Sequence, residues 1–198
     1  MPTSIPIDPR GRRGFDELLA DRKGQLDQPR YAAQVSAIVA ALVDAFRKGN
    51  KVLWFGNGGS AADAQHLAAE FSGRFLRERK GLPSEALTVN TSAVTAISND
   101  FGYEFLFARM VEALAKPGDV VVGITTSGTS KNVVRGLEAA KAAGAMTVVF
   151  TGNGGGPVSE IADLSLIGPD GYSAIVQEVH IVMGHIICDL VEQELIFT

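Results

Sequence analysis

The stretch VLWFGNGGSAADAQHLAAE, residues 52–70, decides the fold of this chain. Its first four residues are apolar without interruption, which is typical of a strand buried on both faces of a parallel sheet. A glycine-rich turn follows, and the remainder has the alanine-rich composition of a helix. A buried strand that passes through such a turn into a helix is the building unit of α/β proteins, which bind their ligands at these turns.

The same unit recurs along the chain and predicts a doubly wound α/β fold. Short apolar runs predict the strands, and amphipathic stretches predict the helices. The predicted strands are 52–55, 86–89, 120–124, 147–150 and 164–167, and the predicted helices are 15–24, 30–48, 60–73, 105–115, 130–143 and 174–194. No linker or change of composition divides the chain. We therefore expect a flexible leader over residues 1–12 and a single domain over 13–198, which opens with a pair of helices.

Composition narrows the classes of function. The 198 residues contain 18 Lys and Arg against 22 Asp and Glu, and this net charge of −4 argues against a nucleic-acid partner. No apolar run reaches the roughly 18 residues of a membrane span. The first residues also lack the apolar core of a secretory signal, so we expect no membrane association. The single cysteine, Cys188, cannot form an internal disulfide, which fits a cytoplasmic location.

Three glycine-rich turns follow predicted strands, at Gly56–Ala61, Thr125–Ser130 and Gly152–Gly156. The second carries five hydroxyl side chains in six positions, which suits a phosphate monoester of a small metabolite. Helix capping explains one or two of these hydroxyls. The first turn matches the G-x-G-x-x-A motif of dinucleotide-binding folds, but the second predicted strand ends at Val89-Asn90 without the acidic residue that holds a ribose. The plain alternative is that the glycines only form tight turns.

Any imidazole chemistry must come from three histidines, His66, His180 and His185. His66 and Glu70 are four residues apart and share a helix face, so they suit metal binding or proton transfer. The alternative is an exposed polar pair.

The closing helix contains the other two histidines. At about 100° per residue, Glu178 lies about 20° from His185 and Gln177 about 80° away, so geometry alone favours Glu178 as the partner of His185. His180 points elsewhere and is predicted to be a hydrogen-bonded core residue.

Together these segments resemble the phosphoheptose isomerase branch of the sugar-isomerase (SIS) domain superfamily. The resemblance extends in one order over about residues 15–197. It rests on Gly56–Ser60, Asp63–His66 with Glu70, Gly73–Phe75, Ser98–Gly102, Thr125–Ser130, and Gln177–His180 with His185.

The resemblance implies a flavodoxin-like α/β fold with a five-stranded parallel sheet, and a homotetramer with active sites at subunit interfaces. It implies an aldose–ketose isomerase that converts sedoheptulose 7-phosphate to D-glycero-D-manno-heptose 7-phosphate through an enediolate, the first step of nucleotide-activated heptose biosynthesis. One zinc ion (Zn2+) per subunit is implied, with His66, Glu70, Gln177 and His185 as ligands, and Gln177 here takes precedence over Glu178. Glu70 and His185 are also the implied catalytic base and acid. The implied substrate-binding residues are Asn57, Gly58, Gly59, Ser60, Arg74, Asn99, Asp100, Thr125, Thr126, Ser127, Ser130 and Gln177.

The main alternative is a non-catalytic protein of the same superfamily, a DnaA-binding regulator of replication initiation. That regulator resembles this chain but lacks counterparts of Glu70 and His185, so these two residues favour the enzyme. Isomerases of the superfamily that act on arabinose 5-phosphate usually carry extra domains, for which this chain has no room.

Overall fold

The protein's sheet has five parallel strands in the order β2-β1-β3-β4-β5. A computed structural model describes residues 14–197, so the predicted leader over 1–12 lies outside the described residues. The strand order is that of the flavodoxin-like, doubly wound fold, and it confirms the expected class and strand number. The strands are β1 (Val52–Gly56), β2 (Ser84–Ala86), β3 (Val120–Thr125), β4 (Met146–Thr151) and β5 (Leu164–Ile167).

The helices of the described residues include every predicted one, with ends that differ by a few residues. They are α1 (Phe15–Leu26), α2 (Arg30–Arg47), α3 (Gly59–Ser72), α4 (Thr91–Phe101), α5 (Leu106–Leu114), α6 (Lys131–Ala142), α7 (Gly156–Ile161) and α8 (Ser173–Ile196). The helices α4 and α7 were not predicted. Helix α4 has no fully buried residue and α7 has only six residues, so neither produces a long apolar period.

The second strand differs from its prediction. The apolar run over 86–89 contributes only Ala86 to β2, because Leu87–Val89 forms a 3-10 turn. The strand instead begins at Ser84 and pairs with β1 on one side only. An edge strand tolerates polar residues, which is why an apolar pattern did not reveal this one.

The sheet is covered on both faces, and successive residues of β1 serve opposite cores. Val52 and Trp54 belong to the core formed with α2, α3 and α8. Leu53 and Phe55 belong to the core formed with α5 and α6. Every residue of β1 and β3 is buried, which explains the uninterrupted apolar runs in the sequence.

Helix α8 is long and apolar enough to cross a membrane by length and composition, contrary to the expectation from the sequence. Core helices of water-soluble proteins meet the same criterion. Here the inner side of α8 packs in the core with α2 and α3 through Val179, Met183 and Ile187. The helix therefore has the environment of a core helix in this fold.

His180 on α8 is fully buried, which confirms the prediction of a core histidine. Its Nε2 donates to the carbonyl oxygen of Thr151 at 2.9 Å, and its Nδ1 has no partner among the described residues. Burial lowers the pKa of this imidazole from 6.5 to about 4, and the hydrogen bond to Thr151 opposes the change only in part.

We expect His180 to make the protein less stable as the pH falls from 6.5 towards 4. The unfolded imidazole takes up a proton in this range and the folded one does not, so the free energy of unfolding decreases. The full effect is about 3 kcal/mol, of which about 2 kcal/mol is lost between pH 7 and pH 5. Urea unfolding at one protein concentration measures it. His180→Gln keeps a donor for Thr151 but does not titrate, so an identical pH dependence in this variant would contradict the assignment.

Candidate active site

The carboxyl ends of β1 and β3 bring two of the glycine-rich turns together. The two strands are hydrogen-bonded neighbours, with Gly56 opposite Ile124. After β1 the chain passes through two residues and begins α3 at Gly59, and after β3 the hydroxyl-rich turn leads into α6. In parallel sheets this edge is where ligands bind, because the N-termini of the following helices converge there.

A pocket of about 170 Å³ opens between the two turns. This volume is below the about 300–1,000 Å³ of pockets that hold whole small molecules, so it suits one end of a ligand, such as a phosphate. None of its lining residues is charged. They are Asn57, Ser60, Ile124, Thr125, Thr126, Ser130, Ser173 and Gln177.

The hydroxyl groups of the pocket contact one another rather than the helix backbone. The Oγ1 atom of Thr125 lies 3.0 Å from the Oγ of Ser130, and the Oγ1 of Thr126 lies 2.9 Å from the Oγ of Ser173. Ser130 is the N-cap of α6, yet its side chain forms no capping hydrogen bond. Capping thus does not account for this hydroxyl, and the group remains available to a ligand. Ser173, which the sequence did not single out, joins the pocket because it begins α8.

Glycines set the shape of the turns where backbones come close. Gly128 has a φ of +70°, and a Cβ there would lie 2.3 Å from the carbonyl oxygen of Gly155. The third glycine-rich turn therefore packs against the second, and Asn153 adds a bond from its Nδ2 to the oxygen of Thr126 at 3.0 Å. For the third turn, these contacts agree with the plain reading that its glycines serve the backbone.

The side chain of Asn57 is held by two residues that the sequence did not reveal. Asn57 and Asn132 exchange amide hydrogen bonds of 2.9 and 2.8 Å, and the hydroxyl of Tyr103 donates to the Oδ1 of Asn57 at 2.8 Å. These bonds occupy the Oδ1 of Asn57 and fix its side chain in the wall of the pocket. Both partners come from distant segments, so no local pattern points to them.

A second group of functional side chains lies farther along α3 and α8. The Nε2 atom of His66 lies 2.9 Å from the Nε2 of His185 and 3.1 Å from the Oε1 of Glu70. The pairing of His66 with Glu70 confirms that they share a helix face. Among the described residues these three form a group whose potential ligand atoms all lie within 4.8 Å of one another. We call His66, Glu70 and His185 the His-Glu-His cluster.

The His-Glu-His cluster fits a divalent metal by donor type and spacing. In a tetrahedral zinc site with bonds of about 2.1 Å, neighbouring ligand atoms are about 3.4 Å apart. The distances of 2.9 and 3.1 Å in the cluster need only a small expansion to reach this value. Imidazole nitrogens and a carboxylate oxygen are also ligands that zinc prefers. The side chain of His66 is half exposed, so the cluster is open to solvent.

Asp63 lies one turn before His66 on α3 and is a candidate for orienting the His66 ring. The sequence alone did not indicate this role. Its Oδ2 is buried and accepts no hydrogen bond from the described residues. Burial raises the pKa of this carboxyl, and the neighbouring His66 opposes the shift. Carboxylates near ligating histidines commonly orient the ring, and the i−3 spacing is the signal that points to this one.

Glu178 does not lie near His185, so the preference from helical geometry was wrong. Its Oε2 instead pairs with the Nε of Arg22 on α1 at 3.1 Å. The angle between two residues around a helix ignores the rise along it, and seven residues correspond to about 10.5 Å. Gln177 is one residue farther from His185, and its Nε2 donates to the Oγ of Ser60 at 3.4 Å. Within one chain Gln177 therefore belongs to the pocket and not to the His-Glu-His cluster.

Six predicted substrate-binding residues do not line the pocket of their own chain. Gly58, Gly59 and Ser127 adjoin lining residues in the sequence, whereas Arg74, Asn99 and Asp100 lie elsewhere. Arg74 is exposed and lies 3.6 Å from Glu78 in the loop after α3. Asn99 donates to Asp100 at 2.8 Å at the exposed end of α4. Their roles remain predictions.

Comparisons with known proteins agree with this architecture. The family model of the SIS domain matches residues 26–152. The chain is 54% identical to a phosphoheptose isomerase of Aquifex aeolicus over 163 residues, which covers 82% of this chain and 85% of the relative. It is 48% identical to the phosphoheptose isomerase of Pelobacter propionicus over 195 residues, covering 98% and 99% of the two chains.

A solved structure supports the same relationship. The phosphoheptose isomerase of Neisseria gonorrhoeae superposes with a TM-score of 0.81 and 35% identity, over 90% of this chain and 99% of the other. The identity holds over nearly the full length of both chains, so the likeness extends beyond a shared fold. The chain belongs to the phosphoheptose isomerase family of SIS-domain proteins.

Proposed function

We propose that the chain carries out its family's reaction, the isomerisation of sedoheptulose 7-phosphate, with the His-Glu-His cluster as a zinc-binding and proton-transferring centre. The activity itself follows from membership of the family. The observation that carries the finer proposal is the convergence of two imidazoles and one carboxylate on a single point. D-glycero-D-manno-heptose 7-phosphate is the proposed product, and nucleotide-activated heptose synthesis the proposed pathway.

The hydroxyl-lined pocket is the proposed phosphate site. The side chains of Thr125, Thr126 and Ser130 offer hydroxyl donors without a cation, and the positive end of the α3 dipole lies beside them at Ser60. Ser127 and the turn at Gly58 and Gly59 border this group. Binding energy from the phosphate end then orients carbons that react elsewhere in the molecule.

Glu70 and His185 are the proposed proton carriers. Isomerisation requires a base that removes the proton next to the carbonyl and an acid that returns one. Glu70 takes the first role and His185 the second, with His66 holding the two in register by its contacts of 3.1 and 2.9 Å. A bound zinc ion would polarise the sugar oxygens and so stabilise the enediolate.

The predicted ligand set also supports an active site shared between subunits. Gln177 lies eight residues before His185 on α8, about 12 Å along the helix, and its amide contacts Ser60. Its own chain's cluster is therefore out of reach. A four-ligand zinc site requires Gln177 of a second copy, which brings that copy's phosphate pocket beside the cluster. This requirement agrees with the interfacial sites of the expected homotetramer.

A mixed-subunit experiment tests the shared site. His66→Gln disables the cluster and Gln177→Ala disables the pocket, so each variant alone is expected to be nearly inactive. When the two are unfolded and refolded together at equal amounts, about one quarter of the sites combine an intact cluster with an intact pocket. We expect about this fraction of wild-type turnover to return. Mixtures no more active than the separately refolded variants would contradict a site shared between subunits.

The remaining expectations stay proposals. The cytoplasm is the proposed compartment, supported by Cys188, which is free and buried. Burial also raises the pKa of this thiol, so we assign it no chemistry. A DnaA-binding role is not favoured, because Glu70 and His185 are both present and lie in one cluster.

A further inference from the structure

The loop between α3 and β2, residues 73–83, brings an aromatic ring onto the His-Glu-His cluster. Phe75 stacks against the ring of His185, with centroids 5.4 Å apart and planes inclined by 29°. The loop begins three residues after Glu70, at the end of α3. Its position therefore affects the surroundings of both proposed proton carriers.

Glu192 on α8 anchors this loop from inside the protein. The residue is fully buried, and its Oε1 accepts the backbone N–H of Phe75 at 2.8 Å. Its Oε2 accepts those of Leu76 and Arg77 at 2.9 and 3.0 Å. Burial alone would raise the pKa of this carboxyl, but the three backbone donors and the charge of Arg79 hold it below its usual value. A buried, ionised carboxylate with three successive N–H donors defines the course of the loop closely.

Arg79 connects Glu192 to the last turn of α3. Its Nε donates to Glu192 at 2.9 Å, and its side chain is almost fully buried. Its Nη2 donates to the carbonyl oxygen of Glu70 at 2.8 Å, and its Nη1 donates to that of Phe71 at 2.8 Å. These carbonyl groups lie in the last turn of α3, where no N–H of the helix can reach them. The guanidinium therefore stabilises the turn that carries Glu70.

We propose that Glu192 is a positioning residue for the isomerisation: it holds Phe75 against His185 through the loop backbone, and it steadies the turn of Glu70 through Arg79. The inference rests on the proposed roles of Glu70 and His185. Glu192 itself lies seven residues after His185 on α8, about 10.5 Å along the helix, and contacts no reacting group. It acts on the site only through Phe75 and Arg79.

Asp119, which precedes β3, provides a matched control for Glu192. Asp119 is also buried, accepts the backbone N–H groups of Lys51 and Lys116 at 3.1 and 2.8 Å, and pairs with the Nζ of Lys51. These partners lie in the segments that lead into β1 and β3, and neither belongs to the loop over 73–83 or to the His-Glu-His cluster. Loss of Asp119 should therefore cost stability without altering the site.

The experiment compares Glu192→Gln with Asp119→Asn. Each change keeps the size of the side chain and removes its charge and one acceptor oxygen, so both are expected to lower Tm. Only Glu192→Gln is expected to lower kcat, by about tenfold, with KM within about twofold, because neither Glu192 nor Phe75 nor Arg79 lines the phosphate pocket. It is also expected to weaken zinc affinity about tenfold in a chelator competition, well below the Tm of both variants.

Phe75→Leu keeps the proposal testable if Glu192→Gln does not fold. This variant leaves Glu192 and its hydrogen bonds in place, and we expect a Tm near that of the wild type with a loss of about threefold in kcat. Wild-type kcat in either folded variant, or an equal loss in Asp119→Asn, would overturn the proposal. A wild type that binds no zinc would overturn the metal proposed above, while the comparison of kcat still decides the role of Glu192.

Discussion

Glu70→Gln is expected to lower the rate of isomerisation by about 1,000-fold, the loss typical when a general base is removed. The amide has nearly the shape of the carboxylate but cannot take up the substrate proton. Binding of the sugar phosphate should remain, because Glu70 is not among the residues that line the proposed phosphate pocket. The variant thus separates catalysis from binding.

Turnover of sedoheptulose 7-phosphate, binding by calorimetry and zinc content together measure this effect. Glu78→Gln is the control, since that side chain is 93% exposed in the loop after α3 and its one ion pair with the residues of 14–197 is to Arg74. It should behave like the wild type. Near-native turnover by Glu70→Gln would show that another group removes the proton.

The second large effect is expected for Gly128→Ala in the hydroxyl-rich turn. A Cβ at this position would lie 2.3 Å from the carbonyl oxygen of Gly155 and 2.9 Å from its carbonyl carbon. Both obstacles are backbone atoms, so no side chain can move aside and the turn itself must shift. Misplacement of a binding group by about 1 Å costs about 100-fold, and we expect this loss in kcat/KM, mainly through a higher KM.

Gly154→Ala is a control for the strain of the left-handed conformation. Gly154 has a φ of +73°, close to that of Gly128, but nothing lies within 4 Å of its added Cβ. In both variants an alanine adopts the left-handed conformation, which costs about 1–2 kcal/mol, but only Gly128→Ala displaces the turn. KM, inhibition by inorganic phosphate and Tm are measured for both. Equal kinetic losses in the two variants would remove the turn at Thr125–Ser130 from the proposed phosphate site.

Most of the fold was predictable because the strands buried on both faces leave uninterrupted apolar runs. Val52–Gly56 and Val120–Thr125 are examples, and all of their residues are buried. The edge strand Ser84–Ala86 was predicted at the wrong residues. A strand that pairs on one side only can expose polar side chains, so its serine and glutamate gave no apolar run. Helix α4 was not predicted for the same reason. Only a helix with a buried face requires apolar residues at a regular helical spacing, and α4 has no buried residue.

Local spacing was sufficient for one part of the site and failed for another. His66 and Glu70 are neighbours on one helix, and their contact followed from the interval of four residues. Glu178 and His185 share a helix face by angle but lie two turns apart, so the same reasoning misled. Glu192 acts on Phe75 across 117 residues, and no pattern within one helix predicts such a contact.

The central claim is that the His-Glu-His cluster is a metal centre that isomerises a phosphorylated heptose. Its most direct test is the conversion of sedoheptulose 7-phosphate to the aldose 7-phosphate by one preparation, before and after treatment with a chelator and again after addition of zinc. We predict turnover that disappears with the chelator and returns with zinc, and no turnover in His66→Gln under any of these conditions. Undiminished turnover by the metal-free protein would contradict the claim.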